Sequence, residues 1–488
     1  MQEDGSILIS EFQKGVGQSA FLGTESIIGC DITDTPGILK IKEAPQKGAE
    51  LINTVSHGLC VAKAIDNNGV TFYVSDTSLI AEEITWQSNF TQGCDVAVWN
   101  DSFTIVSYQQ SGTGYIGIYS STSKWSPAKI GGLTGTHYIK LLMGQDGYCY
   151  FTNGQYVGRI TNISESAGVI TVTSTSNALD LNKGVYAVTL AELGANLLIG
   201  TQRGSVWSSK GNYSGANIYP WDRVSSSFRL PVQLRENGIN AMLQKDNLVY
   251  VSAGKTGNVY VTDGTTYRLI KTLPFSKVKK FGPTCNVYPN AMCIDSYNNL
   301  LIATSTYEDA TPNNLTKHGV WEISLANDYA TSLAYTSRTG ELGNNNPVYF
   351  GYVIPQTGST ISYSTKIGTT YEMLITDFRK NTNYTASYES QVYIVGSRSN
   401  RKTFQKLEFA LAEPLIDGQG IKISYRKRVT DAYTLIGTYD FTTLGSVISH
   451  TDKALIADAE MVQVKIQLTQ NSSTVFPSNL NLINVRIS

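Results

Sequence analysis

The sequence predicts an all-β protein, in which a seven-bladed β-propeller is followed by a C-terminal antiparallel β-sandwich. Three observations predict this class: the composition, a hairpin unit that recurs along most of the chain, and a change of pattern near Tyr388. Charged residues make up 16% of the 488 residues, against about 25% in an ordinary globular chain, while Gly (43) and Tyr (29) are abundant. This composition is typical of short strands and tight turns rather than of long amphipathic helices.

The recurring unit consists of an apolar strand, a turn rich in Asn, Gly or Asp, a second strand, and a third strand that ends in small polar residues. The units begin near Leu59, Asp95, Tyr138, Tyr186, Ile239, Ala291 and Val348. Turn pairs such as Asp146-Gly147 favour hairpins between alternating strands. Because units spaced roughly 35 to 60 residues apart are typical of propeller blades, we predict a propeller over residues 51–387.

From residue 388 onward the pattern changes to a clean alternation of apolar and polar residues. Val392 and Ile394 follow this period of two, and so do Leu407, Phe409 and Leu411. About 100 residues of such strands are typical of two packed antiparallel sheets. The sequence therefore predicts a β-sandwich over residues 388–488.

The first 50 residues match neither pattern, and we predict an extended arm with short strands. Its apolar side chains have no period that would bury them against their own fold, and leaving them in water costs about 25 cal/mol per Å². We expect this arm to contact a neighbouring subunit or another protein. The alternative is that it closes the propeller by supplying the outer strand of the last blade. The expected contact residues are Ile7, Phe12, Phe21 and Ile27.

The stretch "VWSSKGNYSGANIYPWDRV", from Val206 to Val224, is a degenerate copy of the Asp-box turn of sialidase propellers. Lys210 occupies the position of the aspartate, and the expected tryptophan is displaced to Trp221. Sialidases also bind their substrate carboxylate with three arginines, the first in an early blade, because a guanidinium pairs with a carboxylate through two hydrogen bonds. This chain has no arginine before Arg159. The sequence therefore argues against a sialidase.

No other catalytic or metal-binding pattern is specific. Another glycosidase needs two facing carboxylates, and the candidates, which we expect to be solvated loop residues, are Asp95, Asp101, Glu192, Asp222 and Glu236. "AGKTGN" predicts a hairpin turn rather than a P-loop, because no helix follows it. The four histidines lack zinc-ligand spacing, and the six cysteines are expected to be buried thiols. We predict no enzyme activity, no catalytic residue, no cofactor and no metal.

Several aromatic and basic residues are candidates for interaction. Aromatic rings near loops can pack against sugar faces, and these are Tyr115, Tyr119, Trp125, Tyr219 and Trp221, for which packing in the core or at an interface is the alternative. The segments "RSNRK", with Arg398 and Arg401, and "YRKR" could contact DNA or an acidic partner, although basic residues also protect strand edges. The net charge of −1 provides no long-range attraction to nucleic acid or membrane.

Two negative features bear on location. The chain has no apolar run of about 18 residues that could span a bilayer, so membrane insertion is not expected. "MQEDGSILIS" lacks the basic and apolar regions of a signal peptide, so we do not expect export by that route.

Three segments resemble a family of virion structural proteins of tailed bacteriophages. They are "GCDITDTPGILKIKEAP", "SGANIYPWDRVSSSFRLPVQLRENGINAMLQKDNLVYVSAGKTGNVYVTDG" and "GSRSNRKTFQKLEFALAEPLIDGQGIKISYRKRVTDAYTLIGTYD". The resemblance implies a structural component of the virion, in the tail or in the neck and nozzle, assembled in the cytoplasm of the host bacterium. It implies contacts with other virion proteins and with copies of the same chain, and it assigns no catalytic residue.

Two functions of different classes remain open at this point. The first is an assembly protein, in which the propeller is a rigid block and the arm and the sandwich are the parts that dock it. The second is a host-recognition protein at the tail tip, which binds a surface glycan or a receptor. A depolymerase is a weaker third alternative. Nucleic-acid contact is not expected, but the two basic segments leave it open.

Overall fold

The computed structural model of this chain is almost entirely β, as the composition predicts. It describes residues 2–3, 6–10, 12, 26–32, 38–42, 44–51, 62–65, 71–74, 79–80, 90–135, 138–203, 214–275, 284–307, 319–336, 348–355, 361–367, 370–377, 384–397, 399–470 and 480–488. Several of its sheets are four-stranded and antiparallel, which is typical of β-propeller-like folds. Among these residues, no helix has the length and apolar character needed to cross a membrane.

The first 51 residues contribute six strands. They are β1 (Gln2–Glu3), β2 (Ser6–Ile9), β3 (Ser26–Ile28), β4 (Cys30–Asp31), β5 (Leu39–Ile41) and β6 (Ala44–Leu51). Strand β1 pairs only with β2 and β4 pairs only with β5, whereas β2, β3, β5 and β6 pair with other strands. Their other partners lie far along the chain.

Consecutive strands then form one antiparallel sheet after another. The first of these sheets contains β7 (Ala62–Ile65), β8 (Thr71–Val74) and β9 (Leu79–Ile80). The second contains β10 (Phe90–Trp99), β11 (Phe103–Gln110), β12 (Thr113–Ser120) and β13 (Lys124–Thr134). The third contains β14 (Leu141–Met143), β15 (Cys149–Asn153), β16 (Tyr156–Ser166) and β17 (Val169–Asp180). The fourth contains β18 (Val185–Leu193), β19 (Asn196–Arg203), β20 (Ser214–Trp221) and β21 (Val232–Leu234). The fifth contains β22 (Ile239–Lys245), β23 (Leu248–Ala253), β24 (Asn258–Thr262) and β25 (Tyr267–Thr272).

Turn chemistry explains why these strands fold back on themselves. Gln110 pairs with Thr113 across a two-residue turn, and Ser111 and Gly112 both have positive φ angles, as a type I′ turn requires. Ala167 and Gly168 repeat this conformation between β16 and β17. The predicted turn at "AGKTGN" joins β23 to β24 and is confirmed as a hairpin connection.

Two further groups of strands continue the series. The first contains β26 (Thr284–Asn286), β27 (Met292–Ile294), β28 (Asn299–Tyr307), β29 (Gly319–Ser324) and β30 (Thr331–Tyr335), and the second β31 (Val348–Pro355), β32 (Ile361–Ile367) and β33 (Thr370–Asp377). Strand β6 from the N-terminal segment pairs antiparallel with β33 and completes the second group as a four-stranded sheet. Along the series, one strand of each group packs against one strand of the next, from β10 through β14, β18, β22 and β27 to β31.

The C-terminal part contains two sheets over one apolar core. Its elements are β34 (Tyr384–Glu389), β35 (Tyr393–Ile394), β36 (Lys402–Leu411), β37 (Gln419–Arg426), β38 (Thr434–Asp440), α1 (Phe441–Leu444), β39 (Ser449–Ala459), β40 (Met461–Gln470) and β41 (Asn481–Ile487). Alternation in β40 buries Val462, Val464, Ile466 and Leu468, as the period of two predicts. The change of pattern expected at residue 388 falls inside β34.

The N-terminal segment is integrated into its own chain, and the expectation that Ile7, Phe12 and Ile27 contact a neighbour is wrong. Strand β2 pairs with β41, and β5 pairs with β4 and β41. Ile7, Phe12 and Ile27 are at most 1% exposed in the core of the C-terminal part. Phe21 lies outside the described residues. The alternative, an outer strand supplied to the last sheet of the series, is what β6 provides.

Strand β3 joins the two parts of the molecule. It pairs in parallel with β30 through Ile28 and Leu333, and antiparallel with β34 through Ser26, Ile27 and Ile28. One sheet therefore runs without interruption from β26 through β30, β3 and β34 to β38. Strand β3 of the arm therefore makes the propeller-like part and the C-terminal part continuous.

A buried ion pair fixes the same junction. The Lys42 ammonium lies 2.9 Å from Glu322 Oε1 in β29 and 3.8 Å from Asp31 Oδ2 in β4. Asn299 Nδ2 donates to the same Glu322 oxygen at 2.8 Å, and Ser332 Oγ lies 3.5 Å from the other. Both Lys42 and Glu322 are almost fully buried, so each charge depends on the other for compensation.

Candidate functional site

The inner strands of the series line an open cavity of about 410 Å³, within the range of roughly 300–1,000 Å³ that is common for small-molecule sites. Its wall combines carboxylate, ammonium and amide groups with thioether and aliphatic side chains. The lining residues are Asp95, Val96, Lys140, Leu142, Met143, Leu190, Ala191, Glu192, Met242, Leu243, Gln244, Pro289, Asn290, Met292, Cys293 and Val353. They come from successive sheets, so the cavity lies where the first strands converge.

One side of the cavity is formed by a compensated carboxylate. Asp95 in β10 lies 2.7 Å from the Lys140 ammonium, which precedes β14. Its Oδ2 also accepts from the Leu141 amide at 2.9 Å, and its Oδ1 accepts from the Val96 amide at 2.9 Å and lies 3.4 Å from Asn290 Nδ2. The Asp95 carboxylate is thus held by a cation and by donors from three segments of the chain.

A second carboxylate is held in the same way. Glu192 in β18 accepts from the Gln145 amide at 2.9 Å and from the Arg223 guanidinium through the same oxygen, Oε1. Arg223 Nη1 also lies 3.7 Å from Asp146 Oδ2, and Tyr150 donates to that oxygen at 2.5 Å. Burial, together with the hydrogen bond to Asp146, raises the pKa of Tyr150 well above its ordinary value. Tyr150 therefore stays a neutral donor at physiological pH.

Arg223 occupies a strained backbone position, with φ at 69° although it carries a full side chain. The residue lies directly after Asp222, whose carboxylate accepts from the amides of Val224 and Ser225 and so shapes the turn. This turn directs the guanidinium back toward Glu192 and over the Tyr150 ring, at 5.8 Å from its centroid. The local strain is compensated by a buried ion pair with the cavity wall.

The two carboxylates of the cavity wall combine hydrogen bonds with ion pairs. A glycosidase needs one carboxylic acid that holds a proton and a second carboxylate that acts as base or nucleophile. Here Asp95 and Glu192 each contact a cation, Lys140 and Arg223 respectively. Among the described residues, no group of three or more potential metal ligands comes together.

The five carboxylates expected in solvated loops divide into two pairs and Glu236, which is half-buried. Asp101 and Asp222 lie at exposed turns, as predicted. The prediction is wrong for Asp95 and Glu192, which are 4% and 8% exposed, because both belong to inner strands whose period of two directs them inward. Glu236 accepts hydrogen bonds from Asn258 and Tyr260, both at 2.6 Å. Sequence reasoning also missed Lys140 and Arg223.

The aromatic candidates serve mainly in packing, which was the alternative to sugar binding. Tyr219 and Trp221 are 6% and 1% exposed, and Trp221 meets Tyr150 edge to face at 6.0 Å. A role for these two as ligand-contacting rings is therefore wrong. Trp125 is half-buried, covers Gly117 and lies 6.1 Å from the Tyr108 ring. Tyr119 is buried and Tyr115 stacks on Tyr108.

The basic and sulfur-containing candidates are explained by local contacts. Arg401 is exposed and pairs with Glu460 at 3.1 Å, while Arg398 lies outside the described residues. Arg426 of "YRKR" donates to Gln463 at 2.7 Å and packs over Tyr433. The expectation of buried thiols is confirmed for Cys30, Cys94, Cys149, Cys285 and Cys293, and Cys60 lies outside the described residues.

Comparison with known proteins identifies no family. No family model matches the chain, and no curated protein matches it. Among solved structures, the extracellular domain of a one-component system from B. thetaiotaomicron shares 13% identity with a TM-score of 0.43, covering 77% of this chain and 44% of that one. Trypanosoma rangeli sialidase in complex with 2,3-difluorosialic acid shares 9% identity with a TM-score of 0.37, covering 93% and 96%.

A chain of the mitotic checkpoint complex shares 13% identity with a TM-score of 0.40, covering 70% of this chain and 96% of that one. The chain thus spans less than half the length of the bacterial extracellular domain that it matches. These similarities are too distant to carry an argument about function, which has to come from the residues themselves.

Proposed function

We propose that the series of sheets is one seven-bladed propeller over residues 51–387 and that residues 388–488 form a sandwich completed by the N-terminal strands. Seven sheets follow one another among the described residues: β7–β9, β10–β13, β14–β17, β18–β21, β22–β25, β27–β30, and β31–β33 with β6. The packing of first strand on first strand from β7 and β10 to β31 supports a ring with the cavity on its axis.

We further propose that the chain is a structural component of a tailed-phage virion, in the tail or in the neck and nozzle, and that it makes assembly contacts rather than catalysing a reaction. The observation that carries this proposal is the continuous sheet through β3, which fastens two bodies into one rigid block. Rigid coupling suits a component whose outer faces must hold fixed positions. The resemblance to virion proteins points in the same direction.

The test uses particles of the phage that encodes this chain. Mass spectrometry of purified virions should detect the chain at a fixed stoichiometry, and interruption of its coding sequence should yield incomplete particles that plasmid-borne expression restores. Absence of the chain from purified virions would contradict the proposal.

A host-recognition protein at the tail tip is the second candidate, and the mixed polar and apolar wall of the axial cavity favours it. The two candidates differ in what the isolated protein does. An assembly protein forms defined oligomers and leaves host cells unlabelled, whereas a recognition protein labels host cells, and a soluble receptor fragment or glycan competes with that labelling.

A further inference from the structure

The polar groups of the axial cavity keep hydrogen-bonding capacity although their charges are compensated. An ammonium has three N–H donors, and the Lys140 ammonium has one contact among the described residues, with Asp95 at 2.7 Å. Glu192 uses Oε1 for both of its contacts, with the Gln145 amide and with Arg223, so its second oxygen is left as an acceptor. The exposed Gln244 adds an amide to the same wall.

These remaining groups select the charge of a ligand. An anion at the unused N–H groups of Lys140 would lie beside the Asp95 carboxylate, and a cation at the unused oxygen of Glu192 would lie beside the Arg223 guanidinium. Because each ion pair is already neutral, the added charge would have no compensating partner, and an uncompensated buried charge is costly. A neutral ligand avoids that cost, since it needs only the unused N–H groups and the unused carboxylate oxygen.

The same groups select the kind of neutral ligand. The wall offers donors and an acceptor, and a hydroxyl both donates and accepts. The half-buried side chains of Val96, Leu142, Met143 and Leu243 lie in the same wall and provide an apolar surface for C–H groups. A ring that carries hydroxyls on its edge and C–H groups on its faces satisfies both requirements.

We propose that the axial cavity binds a neutral polyhydroxylated ligand of one or two sugar rings, with hydroxyls bonded to Glu192 and Lys140 and a C–H face on Met143 and its apolar neighbours. This site is separate from assembly contacts on the outer faces, so it does not depend on the proposed virion role. The cavity volume of about 410 Å³ suits a ligand of that size.

The experiment titrates the full-length protein with named sugars. Methyl glucoside, methyl galactoside, N-acetylglucosamine and maltose are the neutral probes, with glucuronate and glucosamine as charged counterparts, in ligand-detected NMR and calorimetry. We expect saturable binding of at least one neutral probe with a Kd of about 10 mM or tighter, and at least fivefold weaker binding of its charged counterparts.

Variants locate the site. Met143→Trp should fill the cavity and weaken binding at least tenfold, and Glu192→Gln should weaken it severalfold. Asp263→Asn, at an exposed turn outside the cavity, serves as the matched control and should leave affinity unchanged. Circular dichroism and the melting temperature establish that each variant is folded, and Gln244→Leu, at an exposed lining position, replaces any variant that is not.

Two results would overturn the proposal. One is the absence of saturable binding of every neutral probe by the wild-type protein. The other is binding that the folded cavity variants leave unchanged, which would locate the ligand elsewhere. Neither result affects the proposed virion role, because that role is tested by the composition of particles.

Discussion

The N-terminal segment and the sheet β14–β17 are built by opposite rules. In the sheet, each strand pairs with its neighbour in sequence, and residues 141–180 contain nearly all the information that the sheet needs. In the N-terminal segment, β2, β3 and β5 pair with strands that lie several hundred residues away. The difference shows that local contacts form the units of this molecule, whereas non-local contacts hold the units together.

The largest effect should come from deleting residues 1–43, which removes β1–β5 and leaves β6. The apolar side chains lost from the cores are Ile7, Ile9, Phe12, Ile27, Ile28, Cys30, Ile32, Leu39 and Ile41. Burial of a large apolar side chain contributes roughly 1.5–3 kcal/mol, against a total stability of about 5–15 kcal/mol. We expect the truncated protein to aggregate or to lose cooperative unfolding, as measured by calorimetry and size-exclusion chromatography.

Two single substitutions in β2 provide the matched pair for that deletion. Ile7 is fully buried, whereas its neighbour Leu8 is half-buried on the opposite face of the strand. Ile7→Ala should lower the free energy of unfolding by about 2–5 kcal/mol, and Leu8→Ala should lower it clearly less. A truncated protein that melts at the wild-type temperature would show that the arm is dispensable to the fold.

A smaller effect should follow from Lys42→Met at the junction. The change leaves Glu322 buried without its cation, and loss of one partner of a buried pair costs about 3–5 kcal/mol. The control is Lys406→Met, which breaks an exposed pair with Glu408 at 2.7 Å and should cost less than about 1 kcal/mol. Urea denaturation at about pH 8, where Glu322 is ionised, measures both changes, and equal costs would contradict the assigned role of Lys42.

The same glutamate should make stability depend on pH. Burial raises the pKa of Glu322 from 4.5 to about 7, opposed by the charge of Lys42 and reinforced by Asp31 and Asp295. A raised carboxyl pKa means that the folded state binds the proton more tightly than the unfolded state does. This contribution is therefore complete below about pH 4.5 and is lost as the pH rises through 7.

We expect the free energy of unfolding of the wild-type protein to fall between about pH 5 and pH 8 relative to that of Glu322→Gln. The amide cannot ionise but keeps polar contacts with Lys42 and Asn299. Denaturation midpoints of both proteins across this range measure the difference. Parallel curves for the two proteins would contradict a shifted pKa at this position.

The smallest of these effects should arise within a locally built sheet. A Cβ added at Gly158 in β16 would lie 2.1 Å from the ring of Phe151, which is fully buried. Gly158→Ala should cost about 1–3 kcal/mol through overpacking, as measured by thermal unfolding. Gly131→Ala is the control, because its Cβ would meet only the Tyr115 ring at 3.3 Å, and it should change stability by less than about 0.5 kcal/mol.

The predictability of this fold follows the same division between local and distant contacts. The hairpins of β14–β17 and β22–β25 could be predicted, because apolar alternation and turn residues lie within a few residues of each other. The partners of β3 could not, since a backbone hydrogen bond is the same whichever strand accepts it. The arm's lack of a period showed only that its apolar residues needed a partner.

The candidate site was predictable only in its residue types. Asp95 and Glu192 were recognised as carboxylates, but nothing local indicates that two strands about 100 residues apart face one cavity. Lys140 and Arg223 carried no signal, because their role depends on the carboxylates that the fold brings to them. Burial of Trp221 was equally hidden, since it is the last residue of β20 and turn residues follow it.

The pairing of β2 with β41 also delays folding during synthesis of the chain. About 470 residues separate Ile9, the end of β2, from Asn481, the start of β41. At a synthesis rate of roughly 5–20 residues per second, β2 waits on the order of half a minute or more for its partner to leave the ribosome. During that interval the apolar side chains at the start of the chain have no core to enter, so the nascent protein should depend on chaperones until its last strand is made.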